Sequence, residues 1–380
     1  MRYLIGLIVL AVIIAGSYYF LNLSSGLEKR ESEAKITPPI RLGFVGPLSS
    51  ESMPFGLPIK NAVSLAVKDL KTQGRDIEVF YEDGRCSGEA AVQAINKLIF
   101  TYQVNLVIGG VCSGEIAAMA PIAEQNKVIL FSPSASSANI SHLGDFVFRN
   151  APSDSQSGFT MAEMLGHKYK KVAIFSDNSE EALVFRGIFK DRFTELGGVL
   201  TIDSVIPPDT KEKDLKKSIK ANFSGQEAEA ADTEAIIINQ ETERLAGFLV
   251  KEIRAQKIKL PIYGTPIFAS PKFLEIISNT VNPIAYMSLP ELDRSNLRVQ
   301  AFLQDYQRFY GPPFQEFYAA AAYDAANLLV QAVAVVGNDS LKIRDYLYNL
   351  AEYDGLIGKY SFDLNGDVVG IKFVLKDLGK

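Results

Sequence analysis

The segment Val104–Ser137, VNLVIGGVCSGEIAAMAPIAEQNKVILFSPSASS, constrains the fold of this chain more than any other. Val104–Ile108 is a short β-branched run that Gly109-Gly110 ends. Ser113-Gly114-Glu115 reads as a helix start, and Ile116–Gln125 carries apolar residues at helical spacing. Val128–Phe131 is a second apolar run, closed by Ser132-Pro133-Ser134-Ala135-Ser136. Strand, helix and strand in this space make a βαβ unit, so the two strands are expected to be parallel neighbours. Their C-terminal ends then open on one edge of the sheet, where open α/β sheets take their ligands. The loops there offer small hydroxyls and backbone N–H groups, with no His, no Lys and no nucleophile–base pair. Such a unit is suited to hold a small polar molecule rather than to react with it.

The same alternation runs along most of the chain. Strands are predicted at Ile40–Gly46, Ile77–Tyr81 and Phe146–Arg149, with helices at Gly56–Leu70 and Ala90–Thr101. After the break at Asn150-Ala151-Pro152-Ser153 a second series begins. Its strands are Lys171–Phe175, Val199–Val205, Ala235–Ile238, Leu260–Tyr263 and Ala285–Ser288, with helical stretches between them. Gln226–Glu234 is acidic and Ala-rich and reads as a solvated spacer. The tail changes pattern. It predicts helices at Asn296–Tyr310, Phe317–Val336 and Ser340–Ala351, then two strands around Asn365-Gly366, a hairpin signal. Two βα series of domain size require an α/β fold of two doubly wound parallel-sheet lobes with helices on both faces. A central cleft between their strand ends is the natural ligand pocket.

Bulk properties narrow the function. The 380 residues carry a net charge of −5, which argues against a nucleic-acid partner. Only His142 and His167 are available for metal or triad chemistry, and no phosphate-loop, nucleophile-elbow, H-E-x-x-H or C-x-x-C motif occurs. The chain is therefore expected to be a binding protein without metal or cofactor, and not an enzyme. Residues 1–22 include the nearly unbroken apolar run Leu4–Leu21, long enough for a transmembrane anchor, with a cleaved signal peptide as the alternative. Residues 23–37 form a polar spacer. Either reading places the rest of the chain outside the cytoplasm. In an oxidising compartment Cys86 and Cys112, the only two cysteines, are expected to bridge; two unrelated buried thiols are the alternative.

Several segments together resemble the type I periplasmic binding proteins, in particular the Leu/Ile/Val-binding branch that serves ABC transporters. IRLGFVGPLSS followed by Phe55-Gly56 is similar to the opening strand and loop of that family. YEDGRCSGEAAVQAINKLI, VIGGVCSGEIAAMAP, LFSPSASS and RNAPSDSQSG are similar to its next four loops, and YAAAAYDAANLL and FDLNGDVVG to its tail helix and last hairpin. The resemblance covers about residues 40–378. It implies three interlobe crossovers, with lobe 1 formed by 38–152 plus 287–357 and lobe 2 by 153–286 plus 358–380. It places Cys86 and Cys112 at the family's disulfide. It implies that Ser113 and Ser136 hydroxyls hold a ligand carboxylate, that Ser134 supplies a backbone carbonyl, and that Phe55 sits at an aromatic pocket position.

Lobe 2 departs from the pattern. The acid expected after the strand YGT is replaced by Thr265-Pro266, and the family's aromatic positions hold Glu181 and Glu241, either of which can meet a cationic group. The resemblance thus implies a solute-binding protein of an ABC-type transporter. It would take an amino acid or similar small carboxylate or amide by hinge closure and deliver it to a membrane permease. The alternative is a ligand-sensing or envelope-regulatory ectodomain acting through a partner protein.

Overall fold

The computed structural model describes residues 38–224, 232–278, 283–313 and 315–378. The expected anchor or signal segment, residues 1–22, and the spacer to residue 37 lie outside the described residues, as does most of the acidic loop.

The first sheet has the order β2-β1-β3-β4-β5, all parallel, from β1 (Ile40–Gly46), β2 (Ile77–Asp83), β3 (Leu106–Gly109), β4 (Ile129–Ser132) and β5 (Val147–Arg149). Successive strand residues point to opposite faces, and both faces are buried. Leu42, Phe44, Leu106, Ile108, Ile129, Phe131 and Phe148 belong to one apolar core. Val45, Val107, Leu130 and Val147 belong to the other. This is why these strands read as continuous apolar runs rather than as alternating ones. Gly109 has φ +142°, and a Cβ there would collide with the carbonyl oxygen of Val45, so the turn out of β3 requires glycine.

The second sheet has the order β14-β10-β9-β8-β6-β7. Its members are β6 (Lys171–Ser176), β7 (Val199–Val205), β8 (Ala235–Asn239), β9 (Ile262–Gly264), β10 (Ile284–Ser288) and β14 (Val374–Asp377). All its pairings are parallel except the edge strand β14, which runs antiparallel to β10. It too is covered on both faces, with Phe175, Ile236 and Ile238 on one side and Val172, Ile174 and Ile237 on the other. Two doubly wound lobes are therefore observed as expected.

The chain passes between the sheets three times, at 150–153, 289–296 and 370–373. The last passage falls later than the expected switch at 358. A small antiparallel sheet, β11 (Tyr353–Gly355), β12 (Gly358–Phe362) and β13 (Val368–Val369), precedes it. Tyr360, Phe362, Val368 and Ile371 are buried in the core of the first lobe, so residues 358–371 pack there and not in lobe 2. Only β14 joins the second sheet. The helix Glu316–Val336 is long and apolar enough to suit a membrane, yet it is mostly buried as a core helix of the first lobe.

Cys86 and Cys112 form a disulfide. It ties the loop after β2 to the loop after β3 and, on the chain-entropy model, stabilises by roughly 3 kcal/mol. Between them lies the buried carboxylate of Glu115, which accepts the backbone N–H of Cys86 (2.9 Å) and of Cys112 (3.1 Å). Burial pushes this carboxyl above the usual range, against the pull of those N–H donors. Disulfide and carboxylate together fix the first turn of the helix Ser113–Asn126.

Candidate functional site

A cavity of about 1010 Å³ lies between the C-terminal strand ends of the two sheets. Of the residues singled out from sequence, Ser113, Ser136, Glu181 and Glu241 line it. Ser134 and Phe55 do not. Ser134 spends its hydroxyl on the carbonyl of Val111 at 3.0 Å, inside its own loop. Phe55 sits on the outer side of the helix Met53–Thr72, whose buried face is formed by Gly56, Ile59, Ala62 and Val63. Its ring is 47% exposed.

The first-lobe wall is built by the two serine loops. Ser113 opens its helix, where backbone N–H groups and the helix dipole favour negative charge. Its oxygen accepts the N–H of Ser137 at 3.3 Å, which leaves its own proton free to be donated into the cavity. Ser136 is engaged differently. Its hydroxyl acts to lower the pKa of the Asp154 carboxyl, and its carbonyl accepts the Asp154 N–H at 2.8 Å. Ser136 and Asp154 thus meet across the first crossing between lobes.

The second-lobe wall is acidic. Asp154 begins the helix Asp154–Gly166, Glu181 lies in the first turn of Glu180–Glu195, and Glu241 follows β8 just before the helix Glu243–Ala255. Behind them Asp177 is fully buried. It accepts the N–H of Ser179 (2.8 Å), the hydroxyl of Ser179 (2.6 Å) and the N–H of Glu241 (2.6 Å). Burial raises the pKa of Asp154, opposed by the Ser136 hydroxyl and the Arg149 charge and reinforced by Glu181. Glu241 is pushed up to about 7, first because the cleft walls strip it of water, then by repulsion from Asp177, Asp154 and Glu181. Thr265 and Pro266 also line the cavity, with Pro266 opening a short 3₁₀ turn. Neither is an acid; the acids that line the cavity, Asp154, Glu181 and Glu241 among them, stand elsewhere in the chain.

Asp154 escaped the sequence reading. It stands in RNAPSDSQSG, which pointed to the crossing, and an acid in the first turn of a helix is ordinary capping chemistry. Its signal was its place directly after the strand break and the N-cap Ser153. Among the described residues no three His, Cys, Asp or Glu are close enough to hold a metal ion.

Behind the serine wall sits Arg149, fully buried. It pairs with Asp367 at 2.6 Å and donates to the carbonyl of Ser137 (2.7 Å) and the hydroxyl of Ser141 (2.9 Å). Ser141 in turn donates to Asp367 at 2.6 Å. Gly366, at φ +74°, packs so closely on the carbonyl of Val147 that no side chain fits, and its own carbonyl accepts the Arg149 N–H at 2.9 Å. The tail hairpin is thereby locked to the serine loop.

Two α/β lobes joined by three crossings around a polar cleft are the architecture of a two-lobe binding protein. The chain belongs to the periplasmic binding protein family, whose model matches residues 39–369. It is 26% identical over 157 residues to the leucine-specific-binding protein of Salmonella typhimurium. That match spans 39% of this chain and 42% of that relative's length. It is 22% identical over 355 residues to the Leu/Ile/Val-binding protein BraC3 of Rhizobium johnstonii, covering 88% of this chain and 90% of that protein. Its fold superposes with a TM-score of 0.72 on an ABC transporter substrate-binding protein of Desulfitobacterium hafniense in complex with Leu. The identity there is 22%, covering 90% of this chain and 98% of that one.

Proposed function

We propose that this protein is an extracytoplasmic solute-binding protein of an ABC-type transporter, tethered to the membrane through residues 1–22. It takes an amino acid or a similar small carboxylate in the interlobe cleft and presents it to a membrane permease. The observation that carries this reading is the opposed character of the two walls. Ser113, with a free hydroxyl proton at a helix N-terminus, favours an anion. Asp154, Glu181 and Glu241 favour a cation. A zwitterion that touches both walls gains more from the closed cleft than from the open one, and that difference is what drives closure. The similarity to leucine-binding and Leu/Ile/Val-binding proteins supports an amino-acid ligand.

Thermal unfolding of the purified full chain against a panel of amino acids tests the reading. A true ligand at about one hundred times its Kd stabilises the fold by about 2.7 kcal/mol. A panel of amino acids, amides and carboxylates that leaves the transition unmoved refutes it, and then favours a regulatory ectodomain that binds a protein partner. Ser113→Ala is expected to weaken an identified carboxylate ligand by about 1.5–3 kcal/mol, the worth of a hydrogen bond to a charged group. The unliganded variant stays folded, with only the small drop in melting temperature that losing the acceptor of the Ser137 N–H brings. Unchanged affinity in calorimetry removes Ser113 from the site.

A further inference from the structure

The cleft holds more negative charge than a simple zwitterion can answer. Its only lysine or arginine lining residues among those described are Arg294 and Lys376. Arg294 is paired with Glu316, and Lys376 with Glu291 at 2.6 Å, so both cations are matched at the rim. Arg149, which also acts on Asp154, is committed to Asp367 behind the serine loop. Asp154, Glu181 and Glu241 are left facing the cavity with no lysine or arginine paired to any of them among the described residues, and Asp177 adds its charge from behind. A single ion does not resolve this, since no three acids are close enough to share one. The carboxylates are spread along the wall, each at the end of a different strand or crossing. The cavity is at the upper end of the volume usual for small-molecule sites, so an extended ligand has room along that wall.

We infer that the ligand is a diamino monocarboxylic acid, a molecule with its carboxylate at Ser113 and two cationic nitrogens set several bonds apart along Asp154, Glu181 and Glu241. The inference rests on the amino-acid reading of the cleft and deepens it. The α-ammonium meets Asp154, which is tied to the serine wall through the bond of its N–H to the Ser136 carbonyl. The side-chain ammonium or guanidinium meets the pair Glu181 and Glu241. Replacing two mutually repelling carboxylates by a carboxylate–cation–carboxylate arrangement turns an unfavourable wall into a binding one. A neutral aliphatic amino acid leaves that part of the wall uncompensated in the closed cleft, which is discrimination by an unmet charge.

Calorimetric titration of the purified full chain separates the outcomes. L-lysine, L-ornithine and L-arginine are the diamino or guanidino probes, L-leucine the neutral one, and 1,4-diaminobutane the dication without a carboxylate. At least one of the first three is expected to bind about tenfold or more tighter than L-leucine. Glu181→Gln together with Glu241→Gln removes that preference and leaves the chain folded, both side chains being exposed to the cleft. If L-leucine binds as tightly as the cationic probes, or if the double variant keeps the preference, the inference fails while the amino-acid cleft stands. If no amino acid binds, both fail together. If the diamine binds as well as L-lysine, the inference of a carboxylate pole at Ser113 is overturned.

Discussion

Asp367→Ala is expected to lower the stability of the folded chain by about 3–5 kcal/mol, because it strands a buried guanidinium. The Arg149 side chain is fully buried and the Asp367 side chain only 11% exposed, so water cannot take over the lost pairing. The remaining partners of Arg149 are carbonyl and hydroxyl oxygens of Ala135, Ser137 and Ser141, all uncharged. Asp367→Asn keeps the shape and one acceptor and is expected to cost less. Arg149→Met with Asp367→Leu removes both charges and is expected to recover much of the loss, since apolar replacement of a whole buried pair is often close to neutral. Urea unfolding of the three variants reads the ranking. A cost for Asp367→Ala below about 1 kcal/mol, the range of a surface pair, shows that this pair does not hold the hairpin to the first lobe. The same variant is expected to loosen Ser136 and Ser137, because Arg149 anchors the carbonyl of Ser137.

That network also marks the limit of what was legible in the chain. Both sheets were readable because their strands are local apolar runs, buried on both faces, and each βα unit fixes its neighbour. The third crossing was not. Val368-Val369 and Val374–Asp377 look like one strand on the far side of a hairpin, and nothing local says that the first half pairs in one lobe and the second half in the other. The break is at Gly370, which has φ +105° and lies against the carbonyl of Lys359. The cleft followed the same rule. Ser113 was visible as the start of a helix after a parallel strand. Phe55 falls outside the cavity because the tail helix Glu316–Val336 packs on its helix and Phe55 stays on the exposed side. Glu181 and Glu241 were named from the family's aromatic positions, whereas Asp154 came into the site through its backbone bond to Ser136 across the crossing. No periodicity encodes such a bond.

The affinity for a cationic ligand is expected to rise with pH through the range in which Glu241 loses its proton, then level off. In the empty cleft burial and the neighbouring acids push Glu241 up to about 7, and Asp154 is raised for the same first cause. A bound ammonium stabilises the carboxylate form of both, so binding below that range has to displace a proton. With one such proton, moving from about pH 8 to about pH 5 weakens binding by up to a hundredfold, and water screening in the open cleft reduces this toward tenfold. The groups facing Glu241 do not reverse the sign. Asp177 is held by three neutral donors, the rim pairs Arg294–Glu316 and Lys376–Glu291 are matched, and Tyr318, raised to about 12 by burial and Asp154, stays neutral throughout. Stability without ligand runs the other way. An acid raised in the fold binds more protons folded than unfolded between its ordinary value of 4.5 and about 7, so Glu241 makes the empty protein less stable as pH rises across that window. Ligand removes this penalty. Thermal unfolding with and without L-lysine across that pH range is therefore expected to give curves that diverge as pH rises. Glu241→Gln is expected to flatten both. Parallel curves at all pH values show that Glu241 does not meet the ligand's charge.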